Sequence, residues 1–246
     1  MAATLAGARL TTQHRSTQLA LRAVTLRQVL QVWPAFDPER AASSWPPVET
    51  ALMAIIGQRR KDSATIAAAY FESFRTAERI GGRAAPVVSA FDVGATARAE
   101  TSLQVTGYVT TERLTALRHP DPARTALVRV SGAAARHVLD GGRETLLASV
   151  RADRRALGWA RATSGNPCSF CAMLASRGPA YGERTGDFQS HDHCACSLEP
   201  VYRRDQEWPE GSRDYQALWR DSTRGLGGDE AGQAFRAALS TASARV

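Results

Sequence analysis

The sequence predicts an α+β protein that is predominantly helical, with long N-terminal helices followed by a small α+β module that carries a Cys/His turn of the zinc-knuckle type. Three observations predict it. Apolar residues recur at steps of three and four through the N-terminal third, the signature of helices with one buried stripe. Further on, short alternating stretches appear between turn residues. All four cysteines then fall in one segment, Cys168 to Cys196. The chain has 246 residues with 43% hydrophobic and 22% charged content, enough to bury a core and too apolar for wholesale disorder.

The first helix is expected from Thr12 to Trp33, where Leu19, Ala23, Leu26, Leu30 and Trp33 form one stripe and Pro34 and Pro38 stop it. A second helical region runs from about Pro47 to Arg79. Val48, Leu52, Ile55 and Ile56 mark its first half, Ile66, Tyr70, Phe74 and Ala77 its second, and Gly81-Gly82 and Pro86 close it. Leu103, Val105 and Val109 alternate with Gln104, Thr106, Tyr108 and Thr110, which predicts a strand with Gly107 as a bulge. Asp121-Pro122 is a helix start, an acid at the cap and a proline in first position. Leu127, Val130, Ala134 and Val138 continue that helix to Gly141-Gly142. Another helix is expected over 143–155 and a strand over 157–163, followed by the turn residues Ser164-Gly165-Asn166-Pro167. Beyond Tyr202 the chain turns polar: a loop over 205–213, a short helix over 214–223, a glycine break, a last helix over 230–240 and a frayed tail.

Charge and hydropathy narrow the function classes. The net charge is +7 and the pI near 9.8, with Lys61 the one lysine among the basic residues. An alanine-rich, arginine-for-lysine composition reflects GC-rich coding most simply, so the charge permits contact with DNA or acidic surfaces without specifying it. The longest apolar run, Ala51 to Ile56, is far short of the roughly 20 residues a membrane span needs. The first residues lack the pattern of a cleaved signal peptide. A soluble intracellular product with no membrane partner is expected.

The sharpest feature is the cysteine segment, which reads Cys168-x2-Cys171 and then His191-x2-Cys194-x-Cys196. Reducing conditions disfavour disulfides, so clustered cysteines point to metal. Zinc takes four N or S ligands in a tetrahedron, and two cysteines spaced by two residues reach one ion from a tight turn. Cys168 and Cys171 supply one half. His191 with Cys194 is the natural second half, with Cys196 or His193 able to substitute. Trp159, Phe170 and Phe188 are expected to pack around the site. Pro167-Cys168-x2-Cys171 also matches half of a zinc deaminase signature, but no histidine is followed two residues later by the glutamate that chemistry needs. A serine protease needs Ser, His and an acid converging. Ser131, His137 and Asp140, or Ser190 with His191, are the candidates, and no Gly-x-Ser-x-Gly elbow supports them.

The stretch Leu157 to Gly178, with Tyr181 and then Phe188 to Cys196, resembles the MuF-like head morphogenesis proteins of tailed bacteriophages, in the version found in phages of actinobacteria. Cys168, Cys171, His191, Cys194 and Cys196 occupy that family's Cys-x2-Cys and His-x2-Cys-x-Cys turns. The specific likeness covers about forty residues, 157–202. It implies a minor capsid protein, incorporated during procapsid assembly in the host cytoplasm and located in the phage head. Its partners would be the portal protein and the major capsid or scaffold protein, near packaged DNA. Residues 1–100 would be the helical docking region, 101–202 the α+β module and 203–246 a polar, partly helical tail. Docking would use a stripe such as Leu19-Leu26-Leu30-Trp33 or Ile66-Tyr70-Phe74. Related actinophage proteins are often labelled capsid maturation protease, which makes cleavage of scaffold or capsid protein the alternative function.

Overall fold

The computed structural model describes residue 2 and residues 4–163, 165–179, 187–205 and 208–243. Ser164 of the expected turn and Tyr181 of the resemblance lie outside the described residues, as do 206–207 of the expected loop and the last three residues of the expected tail. Helix α1, Leu5–Val32, starts where the Thr4 side chain accepts the Gly7 amide, an N-cap that satisfies a donor the helix leaves free. Two 3-10 turns, Trp33–Ala35 and Pro38–Arg40, reverse the chain into α2, Ala41–Ala77. Side-chain bonds pair Thr4 with Glu78, Thr11 with Tyr70 and Gln18 with Ser63, so the two helices run antiparallel. The expectation that α2 begins near Pro47 is corrected. The helix starts six residues earlier and takes both prolines inside, held there by Trp45, which is buried and donates its indole N–H to Gln104.

The strand expected around Gly107 is absent. Helix α3, Val93–Gln104, runs through a π turn, Val105–Val109, into α4, Thr110–Ala116. Alternation suggested a pleat, but the buried positions are Ala95, Ala99, Leu103 and Gly107, spaced by four. Gly107 does mark a bulge, of the helical kind. A Cβ there would lie 2.0 Å from the Trp45 ring, so only glycine lets the two segments approach.

Helix α5, Pro122–Ala152, opens with Asp121 accepting the Arg124 amide and continues past Gly141-Gly142 as one helix, not two. The glycine pair is a crossing point. A Cβ on Gly141 would sit 2.4 Å from the Arg60 carbonyl, and one on Gly142 would sit 2.8 Å from the Ser63 hydroxyl. Close contact between α2 and α5 therefore outweighs the helix-breaking tendency of glycine. Around this axis Leu52, Ile56, Leu103, Val130 and Val138 form one core. A second core, with Phe71, Phe74, Leu146, Trp159 and Leu198, joins the far end of α2 and α5 to the sheet.

That sheet has two antiparallel strands, β1 (Gly158–Ala162) and β2 (Ser197–Val201), in register from Gly158 opposite Val201 to Ala162 opposite Ser197. Every residue of both is buried. Between them lies α6, Ser169–Ala175, and after them α7 (Ser212–Ser222) and α8 (Gly228–Ser243) pack on Ala172 of α6 through Leu218 and Trp219 of α7 and Phe235 and Leu239 of α8. The architecture is therefore α+β and mainly helical, with a small two-stranded module beside long N-terminal helices.

Candidate metal centre

The register of β1 and β2 builds the site. Ala162 faces Ser197, so the chain leaving β1 toward Cys168 and the chain entering β2 from Cys196 emerge at the same end. Cys168 caps α6 with its sulfur, 3.4 Å from the Cys171 amide, and the first turn of α6 brings Cys171 onto the same side. From the other turn, His191 Nε2 lies 2.8 Å from Cys168 Sγ and 3.6 Å from Cys171 Sγ. Cys194 Sγ lies 3.5 Å from Cys171 Sγ. The donors form two triads that share Cys171: Cys168, Cys171 and His191, and Cys171, Cys194 and Cys196. A tetrahedral zinc ion would hold sulfurs about 3.8 Å apart and sulfur from nitrogen about 3.6 Å apart, given its bond lengths. The contacts of Cys171 with Cys194 and His191 already match those edges.

The histidine is oriented for the task. His191 Nδ1 lies 2.6 Å from the Asp192 carbonyl, and donating there leaves the Nε2 lone pair facing the sulfurs. His193, the alternative ligand, turns away. It adopts a left-handed backbone, φ 66°, and its ring lies against α5 at Gly132, where a Cβ would be 2.5 Å from Nε2. The structure thus gathers Cys168, Cys171, His191, Cys194 and Cys196, and leaves His193 outside.

Electrostatics favour a cation between these groups. The Cys171 thiol and amide, with His191 close by, hold Cys168 down to about 5. Contacts with Cys171 and Cys196 hold Cys194 well below the ordinary thiol range. Cys171, crowded by Cys168, Cys194 and Cys196, is pushed far up instead. Sulfurs this close cannot all ionise against one another, and a bound dication removes the conflict.

Three arginines hold the ligand loop from behind. Arg143 donates to the Cys194 and Cys196 carbonyls at 2.8 and 2.9 Å, Arg136 to Asp192 at 2.8 Å, and Arg161 to the Gln189 carbonyl at 2.6 Å. Phe188 lies between two of them, its ring 3.8 Å from the Arg161 guanidinium and 5.3 Å from that of Arg143, and also meets Trp159. Phe170, expected in the core, is 39% exposed and meets the edge of His191. The arginines were not legible as site residues. The one signal was a charged residue inside the apolar strand Gly-Trp-Ala-Arg-Ala.

Among the described residues the protease candidates form no Ser-His-acid chain of hydrogen bonds. Ser190 donates to Asp140 at 3.0 Å, and Asp140 is held by Arg143. His137 is buried in α5 beside Arg136, and burial lowers it to about 4. Among the described residues a serine does meet a histidine at Ser197 and His14, 3.0 Å apart, but both are buried. Helix α1 supplies that histidine, stacked on Tyr70.

A family model described as VG15 protein matches residues 7–222, well beyond the segment that carries the MuF-like resemblance. No curated protein and no solved structure matches the chain. No described helix is long and apolar enough to cross a membrane.

Proposed function

The chain belongs to the VG15 protein family, a phage-type viral gene family, and from that premise we propose that it is a MuF-like minor head protein acting in procapsid assembly beside the portal. Its work on this reading is docking rather than catalysis. The partners are the portal protein and the major capsid or scaffold protein, inside the head and near packaged DNA. The Cys/His cluster holds a structural zinc, which stiffens a module whose own core is small.

The observation that carries the reading is the outer face of α1. Its inward positions mix polar Thr11, His14, Gln18 and Thr25 with apolar Leu21 and Val29, while Leu5, Leu19 and Leu30 face outward at 80, 37 and 54% exposure. Of the first candidate docking stripe, Leu19 and Leu30 are exposed while Leu26 and Trp33 are half-buried, and the second candidate stripe, at Tyr70 and Phe74, is buried. Helix α1 also exposes Arg9 and Arg27, while Arg15 is mostly buried and pairs with Glu210, and no acid precedes Asp37. An apolar, cationic face of this kind suits an acidic helical surface on an assembly partner.

Co-expression with the cognate portal, scaffold and capsid proteins tests it. Leu19→Asp with Leu30→Asp should leave the helical circular dichroism intact and exclude the protein from assembled heads. Incorporation at the wild-type level would refute the docking role. The protease alternative has one observation in its favour, the Ser197–His14 contact. Loss of scaffold cleavage in Ser197→Ala, with heads still assembling, would promote it.

A further inference from the structure

Four arginines of the described chain are buried: Arg60, Arg75, Arg143 and Arg161. Three have a carboxylate, Glu144, Asp153 and Asp140 respectively. Arg161 is 1% exposed and forms no ion pair among the described residues. Its Nη2 donates to a carbonyl, its Nε has no partner, and its face rests on Phe188. The remaining contact is Nη1 with Cys171 Sγ, at 3.9 Å. A guanidinium does not lose its proton in a protein, and a buried charge without an opposite charge is strongly unfavourable. Carbonyl and aromatic contacts are dipolar and supply no net charge. Among the described residues, the sulfur cluster is the source of compensating charge beside Arg161.

We infer that the metal centre is an anionic one, a zinc ion held by the thiolates of Cys168, Cys171 and Cys194 with His191, and that Arg161 is its built-in counter-charge. The inference rests on the metal reading of the site and goes further, because it fixes the number of thiolates. A dication with two thiolates is neutral and leaves Arg161 uncompensated. With three thiolates the centre carries one negative charge, and centre plus guanidinium sum to zero. Four thiolates would need a second free cation, and Arg143 is already committed to Asp140. Cys194, 3.5 Å from Cys171 Sγ, is the third thiolate on this geometry, and Cys196 is the spare sulfur beside it. Arg161 is a positioning residue: it does not touch the ion, and it stabilises the charge of the ligand set that does.

The test uses the full chain loaded with zinc. X-ray absorption at the zinc edge should count three sulfur and one nitrogen ligands, and two sulfurs or four would overturn the inference. Competition with a chromophoric chelator should show Arg161→Met binding zinc about 10- to 100-fold more weakly than wild type, the range typical of lost outer partners. Arg161→Lys, which keeps the charge, should recover most of that loss, and Cys196→Ser should stay near wild type. A merely structural arginine would not be rescued by lysine, so equal losses in both variants count against the counter-charge role. Wild-type affinity in Arg161→Met also overturns it. Wild-type protein that takes up no zinc would instead sink the metal reading itself, a distinguishable failure. Should Arg161→Met not fold, the ligand count and the lysine variant still decide.

Discussion

Acidification should destabilise this fold well before its carboxylates titrate, through two histidines. His14 and His137 are each 4% exposed, and burial lowers each from 6.5 to about 4. Arg136 beside His137 adds to its effect, with Nη2 3.2 Å from the ring nitrogen. Above pH 6.5 both rings are neutral in the folded and unfolded chain, and their full contribution is present. As pH falls below 6.5 the unfolded chain takes up protons that the folded chain refuses, so stability is lost until the folded rings titrate near pH 4. Each histidine removes about 1.4 kcal/mol per pH unit over that interval, or about 3 kcal/mol in total. Two together reach about 6–7 kcal/mol, comparable with the whole stability of many domains. Urea unfolding followed at pH values from 7.5 to 4.5 measures it. His137→Gln should cut the slope of stability against pH by about one proton's worth, relative to wild type. Both proteins share the acid-labile ligand loop, so its contribution cancels in the difference. An unchanged slope would refute the claim that burial keeps this ring neutral.

Two more predictions concern the helical frame. Gly107→Ala places a methyl group into the Trp45 ring and should cost about 1–3 kcal/mol by overpacking, read as a lower denaturant midpoint. Asp153 accepts from Arg75 at 2.7 Å and from the Tyr202 hydroxyl at 3.0 Å, and both ion-pair partners are almost fully buried. Asp153→Ala leaves that arginine buried without its carboxylate and should cost about 3–5 kcal/mol, checked by thermal unfolding. A loss under about 1 kcal/mol, the range of an exposed pair, would mean that Arg75 finds another partner.

How far the sequence could be read depended on whether local pattern and tertiary contact agreed. The Asp121-Pro122 start, β1 and the cysteine spacing were legible because each is a local device: a cap, a short apolar run, a turn. The inward face of α1 was only partly legible, because polar groups share it with Leu21 and Val29. Thr11 donates to Glu199, His14 meets Ser197, and Gln18 donates to Ser63. These partners sit on β2 and α2, so no hydrophobic period can announce them. The same strand, Ser-Leu-Glu-Pro-Val, was missed because it buries a glutamate and contains a proline. The segment around Gly107 misled for the opposite reason. Its β-branched residues alternate convincingly, but the decisive contact is with Trp45, about sixty positions earlier in the chain. In the metal centre the donors were visible by spacing, while Arg143 and Arg161 became visible only once β1, α5 and the ligand loop came together.

The most direct test of the account is elemental analysis of the purified full chain, with cleavage of its cognate scaffold and capsid proteins followed in the same preparation. The account predicts one zinc per chain and intact scaffold and capsid bands. A metal-free, fully folded protein that cleaves either substrate would contradict it on both counts.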